Sequence, residues 1–383
     1  MHVAIPREIE DSEKRVAAIP ETVDKMVKAG LSVEVEAGAG DYAHFADSEY
    51  EKVGATITKN TSALYLKADI VLKVQRPLMS GGIHEVEMLK PHAILISLLS
   101  PLTYTDLIQK LAARNVTSFA VDLIPRTTRA QRMDILSSMS SIAGYKAVLL
   151  AASAHSRLIP MMTTSAGTYP PAKVLVIGAG VAGLQAIATA KRMGATVSAF
   201  DTRPAVKEQV QSLGATFVEL DLEGETEDKG GYAKELSAGA HKKEMELIAK
   251  HAQESDIIIT TALIPGKEAP LLIPQEVVAA MKKGSVIVDM AVEQGGNCAF
   301  SRMGETVLEH GVTIIGATNL PATVPVIASQ MYSRNLWNFL SLIYQNKELK
   351  IDPADEIIKA TLVTQEKEIV NEAVKTAVMK GGR

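Results

Sequence analysis

The sequence predicts an α/β protein made of two Rossmann-like parallel-sheet domains joined by long helices. Three observations carry this expectation. Short apolar, β-branched runs alternate with amphipathic stretches along most of the chain, the pattern of strand–helix repeats around parallel sheets. The 383 residues exceed what one hydrophobic core usually organises, so two domains are expected. A glycine-rich turn follows an apolar strand near the middle of the chain, where a second set of repeats begins.

In the first array, "HVAIP", "SVEVEAG", "DIVLKVQ", "AILISLL" and "TSFAVDL" read as buried strands. Amphipathic stretches such as "ETVDKMVKAG" lie between them, the last ended by the helix-stopping Gly30. "SSIAGYKAVLLAASAHSRL", residues 140–158, has no internal proline and reads as a long helix leaving the first domain. "IPMMTTSAGTYPPAKV" then reads as a hairpin around Ala166 and Gly167, with Pro170 and Pro171 as a stiff entry to the next domain. The second array starts at Lys173, with strands in "KVLVIGAG", "TVSAFD", "ATFVEL", "DIIITTA", "SVIVDMA" and "VTIIGAT". "VPVIASQMYSRNLWNFLSLIY" is an apolar helix with no further strand array behind it, expected to return to the first domain. The expected division is therefore 1–138 plus about 325–383 for the first domain and 139–324 for the second.

Composition excludes several classes. Hydrophobic residues make up 47% and charged residues 22%, with a formal net charge of −4 and no long basic block. That argues against nucleic acid or an anionic membrane surface as the main partner. Apolar stretches such as "AILISLLSPL" fall short of the roughly 18 residues of a membrane span. The N-terminal "MHVAIPREIE" turns charged after one short strand, unlike a signal peptide. The single cysteine, Cys298, leaves no internal disulfide framework. A soluble cytoplasmic protein without a metal site is the resulting expectation.

The strongest motif is "VLVIGAGVAGLQAIATAKRMGATVSAFDTR". Gly178, Gly180 and Gly183 form G-x-G-x-x-G after a strand and at the mouth of a helix. The first glycine permits the tight turn, the second lets backbone approach a pyrophosphate, and the third lets helix and strand pack closely. The pyrophosphate then rests on the helix N-terminus, where N–H groups and the dipole favour an anion. Asp201 closes the next strand 23 residues after Gly178, near the ~20 expected for an acid that holds the adenosine ribose diol. A carboxylate there repels a 2′-phosphate and favours NAD(H), whereas Arg203, two residues on, is a group that accepts one. Val181, Thr202, Ala262 and Leu263 complete the expected cofactor-binding set, the last two at the carboxyl edge of the fourth strand.

"PRTTRAQRMDILSSMS", residues 125–140, concentrates polar groups where two apolar repeats would simply join. From the residues alone, Asp134 or Ser137 capping the following helix is one reading; a second is a set of fixed donors and acceptors for a ligand. The chain as a whole carries "IPRE…EKRVAAIPETV", "VLKVQRP", "PRTTRAQRMDILSSMSSIAGYKAV", the glycine fingerprint, "GGYAKE", "TTALIPGK" and "SVIVDMAVEQGGNC", in this order. Together these resemble the NAD(H)-binding domain I of proton-translocating (Re/Si-specific) NAD(P) transhydrogenase, whose scaffold is shared with alanine dehydrogenase. The resemblance runs from Met1 to about Asn346.

The resemblance implies hydride exchange between NAD(H) bound here and NADP(H) on a partner domain, coupled to proton translocation by membrane components. It assigns Arg126, Asp134 and Ser137 to the nicotinamide carboxamide of NADH and Gln131 to the nicotinamide ribose of the partner's NADP⁺. It also implies a mobile loop at 221–236 in which Tyr232 folds over the nucleotide about Gly230 and Gly231. Further implications are a homodimer, with the hairpin at 159–171 reaching a second copy, and a peripheral place on the cytoplasmic face of the inner membrane through partner subunits. Arg132 departs from the small or apolar residue the resemblance predicts there.

Alanine dehydrogenase is the alternative, and a non-catalytic NAD(H) sensor a third. A dehydrogenase of that kind must move protons and needs an acid/base near neutral pKa. The resembling family has a histidine after the strand matching "ILISLL" and an aspartate in the segment matching "AVEQGG"; here Ser100 and Glu293 stand there. His92 precedes that strand and reads as a solvated strand-start residue. Arg15 and Lys73 match substrate-binding basic residues of alanine dehydrogenase, but both occur in transhydrogenases too. Hydride passing between two nicotinamides needs ring alignment rather than proton transfer at carbon.

Overall fold

The computed structural model describes residues 1–220, 238–264 and 267–380. The chain forms two compact units, one of Met1–Met139 with Pro321–Arg383 and one of Ser140–Leu320.

The first unit holds strands β1 (His2–Ile5), β2 (Ser32–Glu36), β3 (Thr56–Thr58), β4 (Ile70–Leu72), β5 (Ile94–Ser97) and β6 (Thr117–Ala120). They lie parallel in the order β6-β5-β4-β1-β2-β3, so the strand order reverses beside β1. A C-terminal hairpin, Leu362–Gln365 and Glu368–Ile369, adds two antiparallel strands beside β6. This hairpin and β3 go beyond the strands expected from sequence. β3 and Glu368–Ile369 are short edge strands and Leu362–Gln365 beside β6 is only four residues long; none has a long apolar run, so periodicity does not reveal them.

The second unit holds β7 (Lys173–Ile177), β8 (Thr196–Phe200), β9 (Thr216–Val218), β10 (Ile257–Thr260), β11 (Val286–Asp289), β12 (Thr306–Glu309) and β13 (Val312–Gly316). The order is β9-β8-β7-β10-β11-β13-β12, parallel except for β12 at the edge. Both sheets are Rossmann-like, and in each the order reverses beside the first strand. Along β7, Val174 and Val176 join one core while Leu175 and Ile177 join the other. The same alternation along β10 and β11 explains why these strands read as unbroken apolar runs: helices cover both faces.

The Ile135–Ala154 helix carries the chain from one unit into the other. Among the described residues it is the one helix long and apolar enough, by length and composition, to cross a membrane. That differs from the sequence expectation, because alanine, serine and glycine lengthen its apolar window. Those small residues have a packing use. A Cβ on Gly144 would stand 2.0 Å from the carbonyl oxygen of Ala182, and Ala147, Val148 and Ala151 lie in the core of the second unit. Met162–Thr164 and Gly167–Tyr169 form an antiparallel hairpin with every residue exposed.

Candidate functional site

In the second unit the glycine fingerprint sits at the reversal point of the sheet. Gly178 follows β7 with φ +94°, and its N–H donates to the carbonyl of Phe200 at 2.9 Å. A Cβ there would meet Thr261 Oγ1 at 2.6 Å. A Cβ at Gly183 would lie 1.8 Å from the carbonyl oxygen of Gly178, so strand and helix touch backbone to backbone. Gly180 is different. It precedes the Val181–Arg192 helix without a side-chain cap, and the nearest atom to a Cβ built on it is Arg203 Nη2 at 4.0 Å. Packing explains two of the three glycines; among the described residues nothing packs closely enough to require the third.

Asp201 stands just past β8 and is 8% exposed. Its Oδ2 accepts the N–H of Ala179 at 2.7 Å and Nη2 of Arg203 at 2.7 Å. Its Oδ1 accepts the N–H of Arg203 and Nε of Arg203, each at 2.9 Å. The acid therefore braces the glycine turn while clasping its own arginine. Thr202, between them, is half-buried, as are Val181, Ala262 and Leu263.

Ala262 and Leu263 follow β10 at the carboxyl edge, and a side chain absent from the sequence expectation holds them. Asn297 Oδ1 accepts the N–H of Ala262 at 3.1 Å, while Nδ2 donates to the carbonyls of Ala262 at 2.9 Å and Pro270 at 2.8 Å. Asn297 is itself placed by Asp289, a fully buried carboxylate. Asp289 accepts from Thr260 Oγ1, Ser301 Oγ and the N–H groups of Ala291, Asn297 and Cys298. The available signal was an acid ending an apolar strand just before Gly295 and Gly296, both at positive φ. Tyr232, with Gly230 and Gly231, lies outside the described residues.

In the first unit, residues 125–140 form a turn pinned from below. Ala130 and Met133 are buried, whereas Arg126, Gln131 and Arg132 are exposed. Asp134 Oδ1 accepts the N–H of Ser137 at 2.9 Å, and Ser137 Oγ donates to Asp134 Oδ2 at 2.6 Å. That is a helix cap, so the structure joins Asp134 and Ser137 in the capping role read from the residues alone. The Arg132 carbonyl accepts from Asn335 Nδ2 at 2.8 Å and Asn338 Nδ2 at 2.9 Å. Arg129 pairs with Asp355, and Thr127 Oγ1 donates to Glu356 at 3.3 Å. At Arg132 it is the backbone that is gripped, and its side chain stays at the surface, which is why an arginine fits there.

The positions that distinguish proton-handling chemistry are also visible. Ser100 has φ +44°, and its N–H, with that of Leu99, donates to the Asp122 carboxylate. Glu293 accepts the N–H of Asn319 at 3.2 Å. His92 is exposed, against Asn115. Arg15 and Lys73 are buried among carboxylates: Arg15 Nε and Nη2 donate to Glu13 at 2.8 and 2.6 Å. Lys73 Nζ lies 2.9 Å from Glu85 and 3.2 Å from Glu8. Burial pushes Glu8 up to about 7 against the opposing charge of Lys73. For Lys73 burial works downward, but Glu8 and Glu85 outweigh it and its pKa lies above the ordinary lysine value. Among the described residues no group of three or more His, Cys, Asp or Glu is arranged to hold a metal ion.

Two family models match the chain: "Alanine dehydrogenase/PNT, N-terminal domain" over residues 4–143 and "Alanine dehydrogenase/PNT, C-terminal domain" over 147–372. An NAD(P) transhydrogenase alpha-subunit protein of Rhodospirillum rubrum is 48% identical over 379 residues, covering 98% of this chain and 99% of that protein. A transhydrogenase crystal structure from Sinorhizobium meliloti superposes with a TM-score of 0.87 at 42% identity, covering 97% of this chain and 100% of the other. An L-alanine dehydrogenase structure superposes with a TM-score of 0.82 at 25% identity, covering 99% of each chain.

Proposed function

We propose that this chain, which belongs to the alanine dehydrogenase/PNT family, is the NAD(H)-binding component of a proton-translocating transhydrogenase. The observation that carries the reading is Gly180: a glycine that packing among the described residues does not require, opening a helix without a side-chain cap, beside the acid that ends the next strand. A pyrophosphate is the group such a place suits. Gly178, Gly180, Val181 and Gly183 would hold it, Asp201, Thr202 and Arg203 the adenosine ribose, and Ala262 and Leu263 the adenine side.

When bound, NADH supplies the hydride, and NADP⁺ on a partner domain receives it. The work left to this chain is binding, orientation and exclusion of water. We carry Arg126, Asp134 and Ser137 to the nicotinamide carboxamide, Gln131 to the partner's nucleotide, and Tyr232 to closure over the site. The mutual bonds of Asp134 and Ser137 suit this: a rigid cap presents its hydroxyl and carboxylate in one orientation. Proton translocation belongs to membrane-spanning partner subunits, which would keep this chain peripheral on the cytoplasmic face. A homodimer is part of the same proposal.

The alternative is alanine dehydrogenase-like oxidation, supported by the shared scaffold. Against it stand Ser100 and Glu293 where that chemistry places its histidine and aspartate. The test pairs NADH titration with hydride exchange, measured with and without an NADP(H)-binding partner, and a parallel assay with pyruvate and ammonia. NADH oxidation by pyruvate and ammonia without a partner would replace the transhydrogenase reading.

A further inference from the structure

Asn297 belongs to a loop, yet it is fully buried, and its side chain reaches the backbone just past β10. Its amide makes three bonds. Oδ1 accepts the N–H of Ala262 at 3.1 Å, and Nδ2 donates to the carbonyls of Ala262 at 2.9 Å and Pro270 at 2.8 Å. The orientation is forced: turned over, the amide would set N–H against N–H and an oxygen against two carbonyls. The main chain of Asn297 is equally committed. Its N–H donates to Asp289 Oδ2 at 2.8 Å, and its carbonyl accepts the N–H groups of Leu272 and Ile273, each at 2.9 Å. One residue thus joins the acid that ends β11 to both main-chain polar groups of Ala262. That backbone lies against the glycine turn. A Cβ built on Gly178 would stand 3.2 Å from the nitrogen of Ala262. Thr261, the residue before, donates its N–H to the carbonyl of Ile177 at 2.8 Å and its Oγ1 to the carbonyl of Gly178 at 2.9 Å.

We infer that Asn297 is a positioning residue for the dinucleotide: it fixes the backbone from Thr261 to Leu263 against the glycine turn before the nucleotide arrives. The inference rests on the dinucleotide reading of the second unit and adds a residue outside the glycine fingerprint. Both Nδ2 hydrogens are already donated to the chain, so Asn297 acts through Ala262 and not by its own contact with the ligand. The physical reason is preorganisation. A wall that is already fixed loses no freedom when a ligand binds, whereas a loose wall must be ordered at that moment, at the expense of affinity. The nicotinamide end is held by other groups, so the effect falls on binding of NADH and not on the transfer step.

The test uses the full chain, with NADH as probe, titrated by nucleotide fluorescence. Asn297→Ala removes all three side-chain bonds. It should weaken NADH by about tenfold, the scale of ordering one or two freed groups on binding. At saturating NADH, single-turnover hydride transfer to an NADP(H)-binding partner should keep its wild-type rate. Ser285→Ala is the control. It removes a buried hydroxyl bond to the carbonyl of Lys282, just before β11 and at the opposite end of that strand from Asp289. It should lower the thermal midpoint and leave NADH affinity unchanged. Amide hydrogen exchange of wild type is the second measurement, and it serves even if Asn297→Ala does not fold. The amides of Thr261 and Ala262 should be as protected without NADH as with it. Wild-type affinity in a folded Asn297→Ala overturns the inference, as does an equal affinity loss in Ser285→Ala. A fall in the saturated transfer rate, or a large gain of protection at these two amides on adding NADH, overturns it too. Absence of NADH binding to wild type is a different failure: it removes the dinucleotide reading on which the inference rests.

Discussion

The side-chain amide of Asn338 donates to the carbonyl oxygen of Arg132 at 2.9 Å. Asn335, one turn earlier on the Pro325–Ile343 helix, donates to the same oxygen at 2.8 Å. Two amides converging on one carbonyl hold the exposed Gln131 turn from behind. Asn338→Ala should therefore leave NADH affinity unchanged and lower the hydride-exchange rate, with a stability loss of about 1 kcal/mol. A single-turnover rate with the NADP(H)-binding partner, set beside an NADH titration, checks this. An unaltered rate would make the two asparagines ordinary loop anchors.

Gln131→Asn shortens the side chain by one methylene, about 1.5 Å, and keeps its amide. If Gln131 serves the partner's nucleotide, NADH binding should hardly change. Transfer should fall about 100-fold or more, because misplacement near 1 Å has that effect. Stability should stay within about 0.5 kcal/mol, since Gln131 is exposed. Loss of affinity and rate in proportion would mark it as an ordinary ligand of NADH.

The glycines should separate by role. Gly180→Ala meets no atom of the described residues nearer than 4.0 Å and should fold normally, yet weaken NADH about tenfold or more by blocking the pyrophosphate. Gly183→Ala drives a methyl to within 1.8 Å of the Gly178 carbonyl and should destabilise by roughly 3 kcal/mol or more. Thermal melts with NADH titrations distinguish the two. Equal NADH affinity of Gly180→Ala and wild type would remove the pyrophosphate from that helix.

Glu8 gives stability a pH dependence. Burial raises its folded pKa to about 7 from 4.5, with Lys73 opposing. A raised folded value means that Glu8 favours the fold fully below about pH 4.5 and that this contribution is lost as pH rises through about 7. The loss is on the order of 3 kcal/mol at about 1.4 kcal/mol per pH unit. Glu8→Gln removes the titration and leaves Lys73 paired with Glu85. Between pH 5 and 8 the stability of wild type relative to Glu8→Gln should fall; parallel urea-unfolding curves across that range would show the reading of Glu8 to be wrong.

The hairpin of Met162–Thr164 and Gly167–Tyr169 is exposed at every residue, with Met162 and Tyr169 among its apolar groups and the exposed Met161 just before it. If it reaches a second copy, the chain should sediment as a dimer at micromolar concentration. Replacing residues 162–169 with a short glycine–serine linker should then give a folded monomer. A dimer unaffected by that replacement would place the interface elsewhere.

The two Rossmann-like sheets were legible in the sequence because their inner strands are buried on both faces. Val174 to Ile177 and Val286 to Val288 carry apolar side chains at every position, as strands covered by helices on both sides require. The glycine turn was legible for a similar reason: close backbone approach at Gly178 and Gly183 leaves no choice of residue. Edge strands such as Thr306–Glu309 and Glu368–Ile369 were not legible, because half-exposed edges tolerate mixed composition, and Leu362–Gln365, though buried, is only four residues long and half polar.

By itself, then, the sequence determined which segments bury two faces, where the helix-opening turn lies, and which residue types stand near it. Tertiary structure alone decided which polar groups hold one another. Asp289 and Asn297, distant from Ala262 along the chain, set its place; Asn335 and Asn338, some two hundred residues on, grip the carbonyl of Arg132. Asp201 clasps Arg203 rather than standing open. Burial patterns are written locally, because each residue reports its own environment to solvent. Hydrogen-bond partners are not, because a short-range directional bond needs two groups that only the folded chain brings within about 3 Å.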